Sequence, residues 1–449
     1  MSNWQTVTLE DVTESINTGL DAIRRAPIVE HKTNLRCLRI QDISQNKPFN
    51  KWGYTEVKDT DFKKFQLVPN DIIMARTCST GICYLVKEEL PAVFNNGLAR
   101  IRLKIEKVDP QFIYYVFKSK HFSGYIDGIS GGTSVQLNMK IGDLSKYQFK
   151  LPPLSEQKEI ARILSDLDKK IELNTQINQT LEQIAQALFK SWFVDFDPVR
   201  AKVQALSDGM SLEQAELAAM QAISGKTPEE LTALSQTQPE RYAELTETAK
   251  AFPCEMVEVD GGEVPKGWEY CTFGDVAECF DSKRIPLSKQ QREKRKGNIP
   301  YYGATSVMDY VDEAIFDDIY LLIGEDGSVL KEDGTPFTQY IWGKSWVNNH
   351  AHVIKGKNGV STEHLMLFIQ QTNITAYITG AVQLKLNQKN MNSILFLKAN
   401  NEINVFFAEY IESLYAKIRE NLDENKILET TRDLLLPKLL SGDFSNGKN

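Results

Sequence analysis

The segment from residue 154 to residue 197 contains neither proline nor glycine, and its apolar residues recur with helical spacing. They are separated by alternating steps of four and three residues, which is the spacing of a coiled-coil seam. Pro152, Pro153 and Ser155 supply helix-start signals just before it. About forty helical residues would extend roughly 60 Å at 1.5 Å per residue. The sequence therefore predicts a helix that is too long to belong to one small domain.

A second copy of this seam lies near the C-terminus, 247 residues further along the chain. Both copies carry two asparagines in the middle of the seam, and the same offset relates Val135-Gln136-Leu137 to Val382-Gln383-Leu384. We therefore predict two copies of one unit, each a globular domain followed by a long helix. The predicted seam residues are Ile160, Leu164, Leu167, Ile171, Asn174, Asn178, Leu181, Leu188 and Trp192, and then Phe407, Ile411, Leu414, Ile418, Asn421, Asn425, Leu428, Leu435 and Leu439.

The matched seams also predict which residues face each other if the two helices pair in antiparallel orientation. A buried asparagine pair costs stability but fixes the register and orientation of two helices. The expected facing pairs are Asn174 with Asn425, Asn178 with Asn421, Leu181 with Ile418, and Trp192 with Phe407.

Composition limits the class of protein. The chain of 449 residues is long enough for two domains plus helices, and its apolar fraction of 42% is ordinary. No apolar run reaches membrane-spanning length and the N-terminus lacks a signal-peptide core, so we expect a cytoplasmic location. The six cysteines show no CxxC spacing, which favours reduced, mostly buried thiols over zinc ligands or disulfides.

The net charge of −8 at first argues against a nucleic-acid partner. However, the segment from Asp197 to Asp260 holds twelve acidic residues against five basic ones, so the rest of the chain is close to neutral. Individual faces outside that segment can therefore be basic.

These patterns divide the chain into five segments. Residues 1–150 form a first domain, 151–196 a first long helix, 197–266 an acidic helical insert, 267–395 a second domain and 396–444 a second long helix. The predicted fold class is α+β. We expect two tandem, mainly-β domains, each followed by a long helix, with the two helices forming an antiparallel coiled coil related by a pseudo-twofold internal repeat.

Catalytic signatures fail on inspection. Gly225-Lys226-Thr227 lacks the glycine that a phosphate-binding loop needs five residues earlier. Pro152-Pro153 lacks the neighbouring acid or amide of an amino-methyltransferase motif. His350 and His352 could share a metal, but no third ligand clusters with them, so no metal site is predicted.

Nucleic-acid binding fits better, although a solvated charge run and ordinary polar turns would look similar. A basic cluster between residues 283 and 296 suits phosphates, and amides and tyrosines nearby suit base edges. The first domain offers counterparts. The predicted DNA-binding residues are Arg76, Thr77, Ser79, Thr80, Asn95, Asn96, Arg100 and Arg102 in the first domain, and Lys283, Arg284, Lys289, Arg292, Lys294, Arg295, Lys296, Tyr301, Tyr302, Asn348, Asn349 and His350 in the second.

Several short motifs together resemble the specificity (S) subunit of type I restriction–modification systems, over essentially the whole chain. The motifs are LPPLSEQKEIARIL (151–164), ALFKSWFVDFDPV (187–199), GEVPKGW (262–268), IPYYGAT (299–305), LLIGEDGS (321–328), WVNNHAHV (346–353) and LLLPKLLSGD (434–443). The resemblance implies that the two domains are target recognition domains, that each reads one half of a split double-stranded DNA site, and that the helices are a conserved spacer.

The resemblance further implies a subunit without an active site or a cofactor of its own. Two methylation subunits would bring S-adenosylmethionine, and motor-nuclease subunits would bring ATP and Mg²⁺. It gives no role for the acidic insert. Two other interpretations stay open from the sequence: a stand-alone nuclease or methyltransferase with unrecognised motifs, and a coiled-coil scaffold that binds only protein.

Overall fold

The computed structural model describes residues 4–130, 138–260, 262–327, 329–380 and 383–442. The predicted match between Val135-Gln136-Leu137 and Val382 falls outside these ranges. The chain divides into two compact units, Met1–Asn174 with Asp423–Asn449, and Thr175–Leu422. We call them the first and second unit. Because the division falls within both long helices, each unit contains one globular domain and a part of each helix.

The two predicted long helices are both present. The central helix is Leu154–Phe193 and the C-terminal helix is Asn401–Ser441. The central helix is shorter than the predicted segment 151–196 because Leu151 belongs to a strand and Phe196 takes a left-handed backbone conformation. Residues 443 and 444 of the predicted C-terminal segment lie outside the described ranges.

The first unit contains two four-stranded sheets. The first is antiparallel, and the second contains one parallel pair, Leu35–Leu38 with Ala92–Phe94. In sheet order the strands are Thr13–Thr18, Leu98–Leu103, Ile72–Ala75 and Cys83–Leu85, and then Ile28–Val29, Gly53–Thr55, Leu35–Leu38 and Ala92–Phe94, with Gln5–Thr8 paired to Gln148–Leu151. The short helices are Glu10–Val12, Ile40–Ser44, Phe49–Lys51, Asp59–Phe65, Pro110–Phe117, Lys120–Ser130 and Ile141–Leu144.

The second unit repeats this plan. It too has an antiparallel sheet and a mixed sheet whose parallel pair is Lys296–Tyr302 with Lys344–Val347. In sheet order the strands are Ala277–Cys279, Ala351–Gly356, Tyr320–Gly324 and Thr338–Ile341, and then Val307–Val311, Lys296–Tyr302, Lys344–Val347 and Phe316–Asp317, with Glu269–Thr272 paired to Leu395–Lys398. The short helices are Phe273–Val276, Asp281–Lys283, Lys289–Lys294, Thr362–Ile369, Thr375–Tyr377 and Gln388–Asn392.

The acidic insert is a group of four helices followed by a hairpin of Met256–Val259 and Gly262–Pro265. Its helices are Asp197–Ser207, Leu212–Ser224, Pro228–Thr237 and Pro239–Ala251. Capping boxes at Ser211 and Thr227 start two of them. The buried Lys202 donates hydrogen bonds from Nζ to the carbonyls of Ala249 at 3.0 Å and Phe252 at 2.6 Å, and so satisfies the end of the last helix.

Every predicted seam residue is buried or half-buried. In the first unit, Ile160 and Leu164 share a core with Leu436 and Leu439. In the second unit, the rings of Trp192 and Phe407 are 5.5 Å apart, as predicted. Residues beside the predicted seam, including Phe189 and Tyr415, are buried as well because the helices also pack against their own domains.

The asparagine pairing is confirmed in both units. Asn174 Nδ2 donates to Asn425 Oδ1 at 2.9 Å, and Asn421 Nδ2 donates to Asn178 Oδ1 at 2.8 Å. A second bond anchors Asn178, whose Nδ2 donates to the carbonyl of Ile418 at 3.3 Å. Position numbers fall along one helix as they rise along the other within each unit, so the helices are antiparallel there.

The core of the second unit surrounds a histidine with aromatic rings. His364 lies against Phe193, Phe407, Phe396 and Phe189, with centroid distances from 4.3 to 5.7 Å. Burial lowers the pKa of His364 to about 3, so the ring is neutral near pH 7 and is an apolar core residue rather than a reactive one.

The six cysteines are free thiols, but the prediction that most of them are buried is wrong. Cys37 is buried, Cys78 is exposed, and the others lie between these extremes. Burial raises the pKa of Cys37, Cys83 and Cys279 to about 12, which keeps these thiols protonated. Among the helices in the described ranges, none has the length and apolar character needed to cross a membrane.

The pairing of Asn178 with Asn421 predicts a specific mutational pattern. Asn421→Leu leaves the buried Oδ1 of Asn178 without its donor and should lower the free energy of unfolding by about 1–3 kcal/mol. The double variant Asn178→Leu/Asn421→Leu should recover most of that loss, because it leaves no unpaired amide. Urea denaturation measures both effects, and Gln179→Leu, at an exposed position of the same helix, is the control. Equal stability of all three variants would contradict the pairing.

Candidate nucleic-acid interface

In each domain, an Asn-Asn pair directly follows one strand of the parallel pair. Asn95-Asn96 follows Ala92–Phe94, and Asn348-Asn349 follows Lys344–Val347. The turns are tied to the neighbouring sheet by equivalent hydrogen bonds, from the Arg76 N–H to the carbonyl of Gly97 at 2.9 Å and from the Glu325 N–H to the carbonyl of His350 at 2.8 Å. The second asparagine of each pair is exposed. The internal repeat thus creates two equivalent loop clusters.

Arg76 holds the loop cluster of the first unit together. Its guanidinium donates to Thr18 Oγ1 at 3.2 Å, to the carbonyl of Met139 at 3.3 Å and to the carbonyl of Asn96 at 3.4 Å. Arg76 is therefore a residue that positions the loops, with part of its surface left for solvent. The adjacent Thr77, Ser79 and Thr80 are half-buried, and Asn96 is exposed.

Two predicted DNA-binding residues of the first domain are structural. Arg100 is only 4% exposed, lies 4.0 Å from Asp71 and donates to the carbonyls of Lys64 and Gln66. Arg102 forms two hydrogen bonds with the carboxylate of Asp71, at 2.9 and 3.0 Å. Burial lowers the pKa of Arg100, whereas the hydrogen bonds to Asp71 raise the pKa of Arg102. The prediction that these arginines bind DNA is wrong for Arg100, because its donors face the interior.

Most of the basic cluster in the second domain is paired with acids. Arg292 Nε is 3.1 Å from Asp309, and its guanidinium covers the ring of Tyr301. Arg295 contacts Asp312 at 2.9 Å and Glu313 at 2.5 Å. Lys296 contacts Asp309 at 2.6 Å, and this hydrogen bond is the main reason that the pKa of Asp309 falls to about 2. Arg292 and Arg295 therefore pair with acids of their own domain, and their contact with DNA phosphates stays a prediction.

Tyr301 and Asn348 are also structural rather than exposed. Tyr301 is 1% exposed, and its hydroxyl accepts a hydrogen bond from the Leu287 N–H at 2.9 Å. Asn348 is 4% exposed, and its Oδ1 accepts from the His350 N–H at 2.8 Å. Tyr302 is half-buried. Neither Tyr301 nor Asn348 can present its polar group to a base without local unfolding.

The residues that stay exposed in the second domain are fewer than the sequence predicted. Lys289, Lys294 and Asn349 are exposed, and Lys283 is exposed with its ammonium 4.8 Å from the centroid of the Phe280 ring. His350 is exposed but fixed, with Nδ1 2.5 Å from Asp326 Oδ1.

A buried ionic network underlies these loops. Arg284 contacts Glu325 at 2.7 Å and Asp281 at 3.2 Å, with a side chain only 12% exposed, so its predicted DNA contact is wrong. Lys385 also reaches Glu325, at 3.2 Å. Glu325 of this network lies at the position that Arg76 occupies in the first unit, because both donate the equivalent backbone hydrogen bond to the Asn-Asn turn. No signal in the sequence marks Glu325 and Asp326 as the residues that hold this loop cluster together, because their partners Arg284 and His350 are distant in the chain.

Cys279, Asp281 and His352 bring potential ligand atoms within 4.8 Å of one another. Both ring nitrogens of His352 are already engaged, Nδ1 with Asp281 at 2.5 Å and Nε2 with the carbonyl of Leu386 at 2.7 Å. Burial alone would raise the pKa of Asp281, but the hydrogen bond and charge of His352 lower it. With the Arg284 guanidinium beside the carboxylate, the group fits an ion-pair network rather than a metal site.

In each unit a tyrosine, an acid and an arginine join the domain to the helices. Tyr115 donates to Asp168 at 2.8 Å, and Arg432 of the C-terminal helix contacts the same carboxylate at 2.8 Å. In the second unit, Tyr340 donates to Glu363 at 2.7 Å and accepts from Arg419 at 2.5 Å. Burial raises the pKa of both tyrosines, so both hydroxyls remain donors near pH 7. These networks fix the domain loops with respect to the helices of their own unit.

The fold of this chain is shared with a solved protein. The S subunit of a type I restriction–modification system from M. genitalium has a similar fold, with a TM-score of 0.56 at 16% identity, over 98% of this chain and 96% of that one. The family described as "type I restriction modification DNA specificity domain" matches residues 1–183 and 265–427. The chain belongs to this family.

Relatives agree with this assignment. The chain is 38% identical to the type I restriction enzyme HindI specificity subunit of Haemophilus influenzae, over 99% of this chain and 100% of that protein. It is 24% identical to the type I restriction enzyme MjaIX specificity subunit of Methanocaldococcus jannaschii, over 82% and 76% of the two chains. The prediction of a specificity subunit rather than an enzyme is confirmed by this family membership.

The contacts of Arg292 predict that its substitution lowers the stability of the second domain. Arg292→Ala removes the contact to Asp309, the hydrogen bond to the Leu287 carbonyl at 2.7 Å and the cover over Tyr301. We expect it to lower the free energy of unfolding by about 1–3 kcal/mol. Lys289→Ala, at an exposed site on the same short helix, should change that free energy by less than about 0.5 kcal/mol. A destabilisation by Lys289→Ala equal to that by Arg292→Ala would contradict the assignment.

Proposed function

We propose that this chain is the DNA-reading subunit of a type I restriction–modification complex and that each domain reads one half of a bipartite, asymmetric double-stranded site. The observation that carries the proposal is the presence of two equivalent loop clusters, each built on the same strand ends and each exposing an asparagine. The two clusters differ in their side chains, which supports two different half-site sequences.

The exposed asparagines suit base reading because a carboxamide can both donate to and accept from an adenine edge in the major groove. Exposed lysines at positions 283, 289 and 294 suit phosphate contacts, which position a protein without reading sequence. The paired helices would set the distance between the half-sites and therefore the number of unread base pairs.

The partners in this proposal are DNA, methylation subunits, of which two would match the internal repeat, and motor-nuclease subunits. The chemistry would reside on those partners, with S-adenosylmethionine on the methylation subunits and ATP with Mg²⁺ on the motor-nuclease subunits. This chain would need no cofactor of its own, and the complex would act in the cytoplasm, where its DNA is found.

Genome-wide mapping of adenine methylation tests the proposal. Cells that contain the gene should show one bipartite methylated motif, and the motif should disappear when only this gene is deleted. A stand-alone enzyme would instead methylate or cut DNA without partner subunits.

The same mapping tests the two exposed asparagines. Asn96→Ala should relax the preferred base at one position of one half-site, and Asn349→Ala at one position of the other. The expected cost is about 1–3 kcal/mol of discrimination at that position. Methylated motifs that change in both halves for either variant would contradict the assignment of one domain to each half-site.

A further inference from the structure

His350 is a surface residue with an unusually fixed geometry. Its side chain is 46% exposed, yet Nδ1 lies 2.5 Å from Asp326 Oδ1. The backbone is held on both sides, because its N–H donates to Asn348 Oδ1 and its carbonyl accepts from the Glu325 N–H, both at 2.8 Å. A side chain that is already ordered loses little conformational entropy when it binds a ligand.

The partner of Nδ1 determines what the ring offers to solvent. An ionised carboxylate can only accept a hydrogen bond, so Nδ1 must carry the proton of its hydrogen bond to Asp326. In the neutral ring, Nε2 is then an acceptor.

Asp326 is the charged residue that contacts the His350 ring directly. Glu325, next in the chain, directs its carboxylate to Arg284 at 2.7 Å and to Lys385 at 3.2 Å. Lys385 lies on the segment whose backbone bridges to Asp326. The His350 ring therefore contacts one carboxylate directly, and the neighbouring charged groups are paired with each other.

The first domain has no counterpart of this side chain. Gly97 occupies the matching position after Asn95-Asn96, where its carbonyl accepts the equivalent backbone hydrogen bond from Arg76 at 2.9 Å. The scaffold is therefore stable without a side chain at this point. A histidine held by its own aspartate is an addition to the second domain rather than a requirement of the fold.

We propose that His350 is a specificity-determining residue, which accepts a hydrogen bond at Nε2 from the exocyclic amino group of an adenine or a cytosine in the major groove. Those amino groups are the donors that bases present there, whereas guanine presents the acceptors O6 and N7. This inference rests on the proposed function and assigns one base position of one half-site to one side chain.

The test uses the complex assembled with its methylation subunits and a double-stranded DNA library with randomised half-sites. The unmodified complex should prefer an amino-bearing base at one position. His350→Ala should reduce discrimination there by about 5- to 150-fold and leave the other positions unchanged.

Three further variants separate this role from a structural one. His350→Gln retains an acceptor, so it should keep the preference for an amino-bearing base. Asp326→Asn frees the ring to adopt either tautomer and should weaken the preference at the same position. His31→Ala is the matched control, because His31 is an exposed histidine paired with Glu56 at 2.9 Å in the first unit.

The possible outcomes distinguish the inference from the function on which it rests. An unmodified complex that selects no sequence would contradict the proposed function. Sequence selection that His350→Ala leaves unchanged, or weakens equally at all positions, would overturn the inference alone. An effect of His31→Ala at the same position would overturn it as well.

Discussion

Two pairs of asparagines in the seam of the long helices constrain the rest of this structure. An amide buried between helices is tolerated only where a second polar group meets it, since an unpaired one costs about 1–3 kcal/mol. Asn174 meets Asn425 in the first unit, and Asn178 meets Asn421 in the second. A shift of either helix by one turn would place an amide against an apolar residue such as Leu181. The asparagines thus reduce stability slightly in return for a single register and a single orientation.

The two domains show how one scaffold can carry different surfaces. The sheets, the parallel strand pair and the Asn-Asn turn are common to both. What differs is the set of side chains that hold the loops: one arginine, Arg76, in the first unit, and the Arg284, Glu325 and Lys385 network in the second. Because the backbone hydrogen bonds maintain the turn in both, the side chains at its surface can change without loss of the fold.

Prediction from the sequence succeeded for features that are periodic and failed for features that depend on tertiary pairing. The long helices and the asparagine pairs follow from a seven-residue repeat, which geometry converts directly into facing positions. The roles of Arg100 and Arg292 do not. Strand pairing brings Asp71 to Arg100, and the contact of a short helix with a strand brings Asp309 to Arg292. A basic residue in isolation looks the same whether it binds a phosphate or a buried acid. The sequence does not reveal the contact between Asp326 and His350 for the same reason, because only the fold brings these two residues together.

We propose that the paired helices, held in register by the asparagines, set the spacing of the DNA site. Insertion of seven residues into both helices, at matched positions between the asparagines, would add about 10 Å of helix. Methylation mapping should then show the same half-sites separated by about three more base pairs, at 3.4 Å for each. Insertion into one helix alone should abolish methylation, because the seams no longer match. Methylation that persists with an unchanged spacer after the paired insertion would contradict this role of the helices.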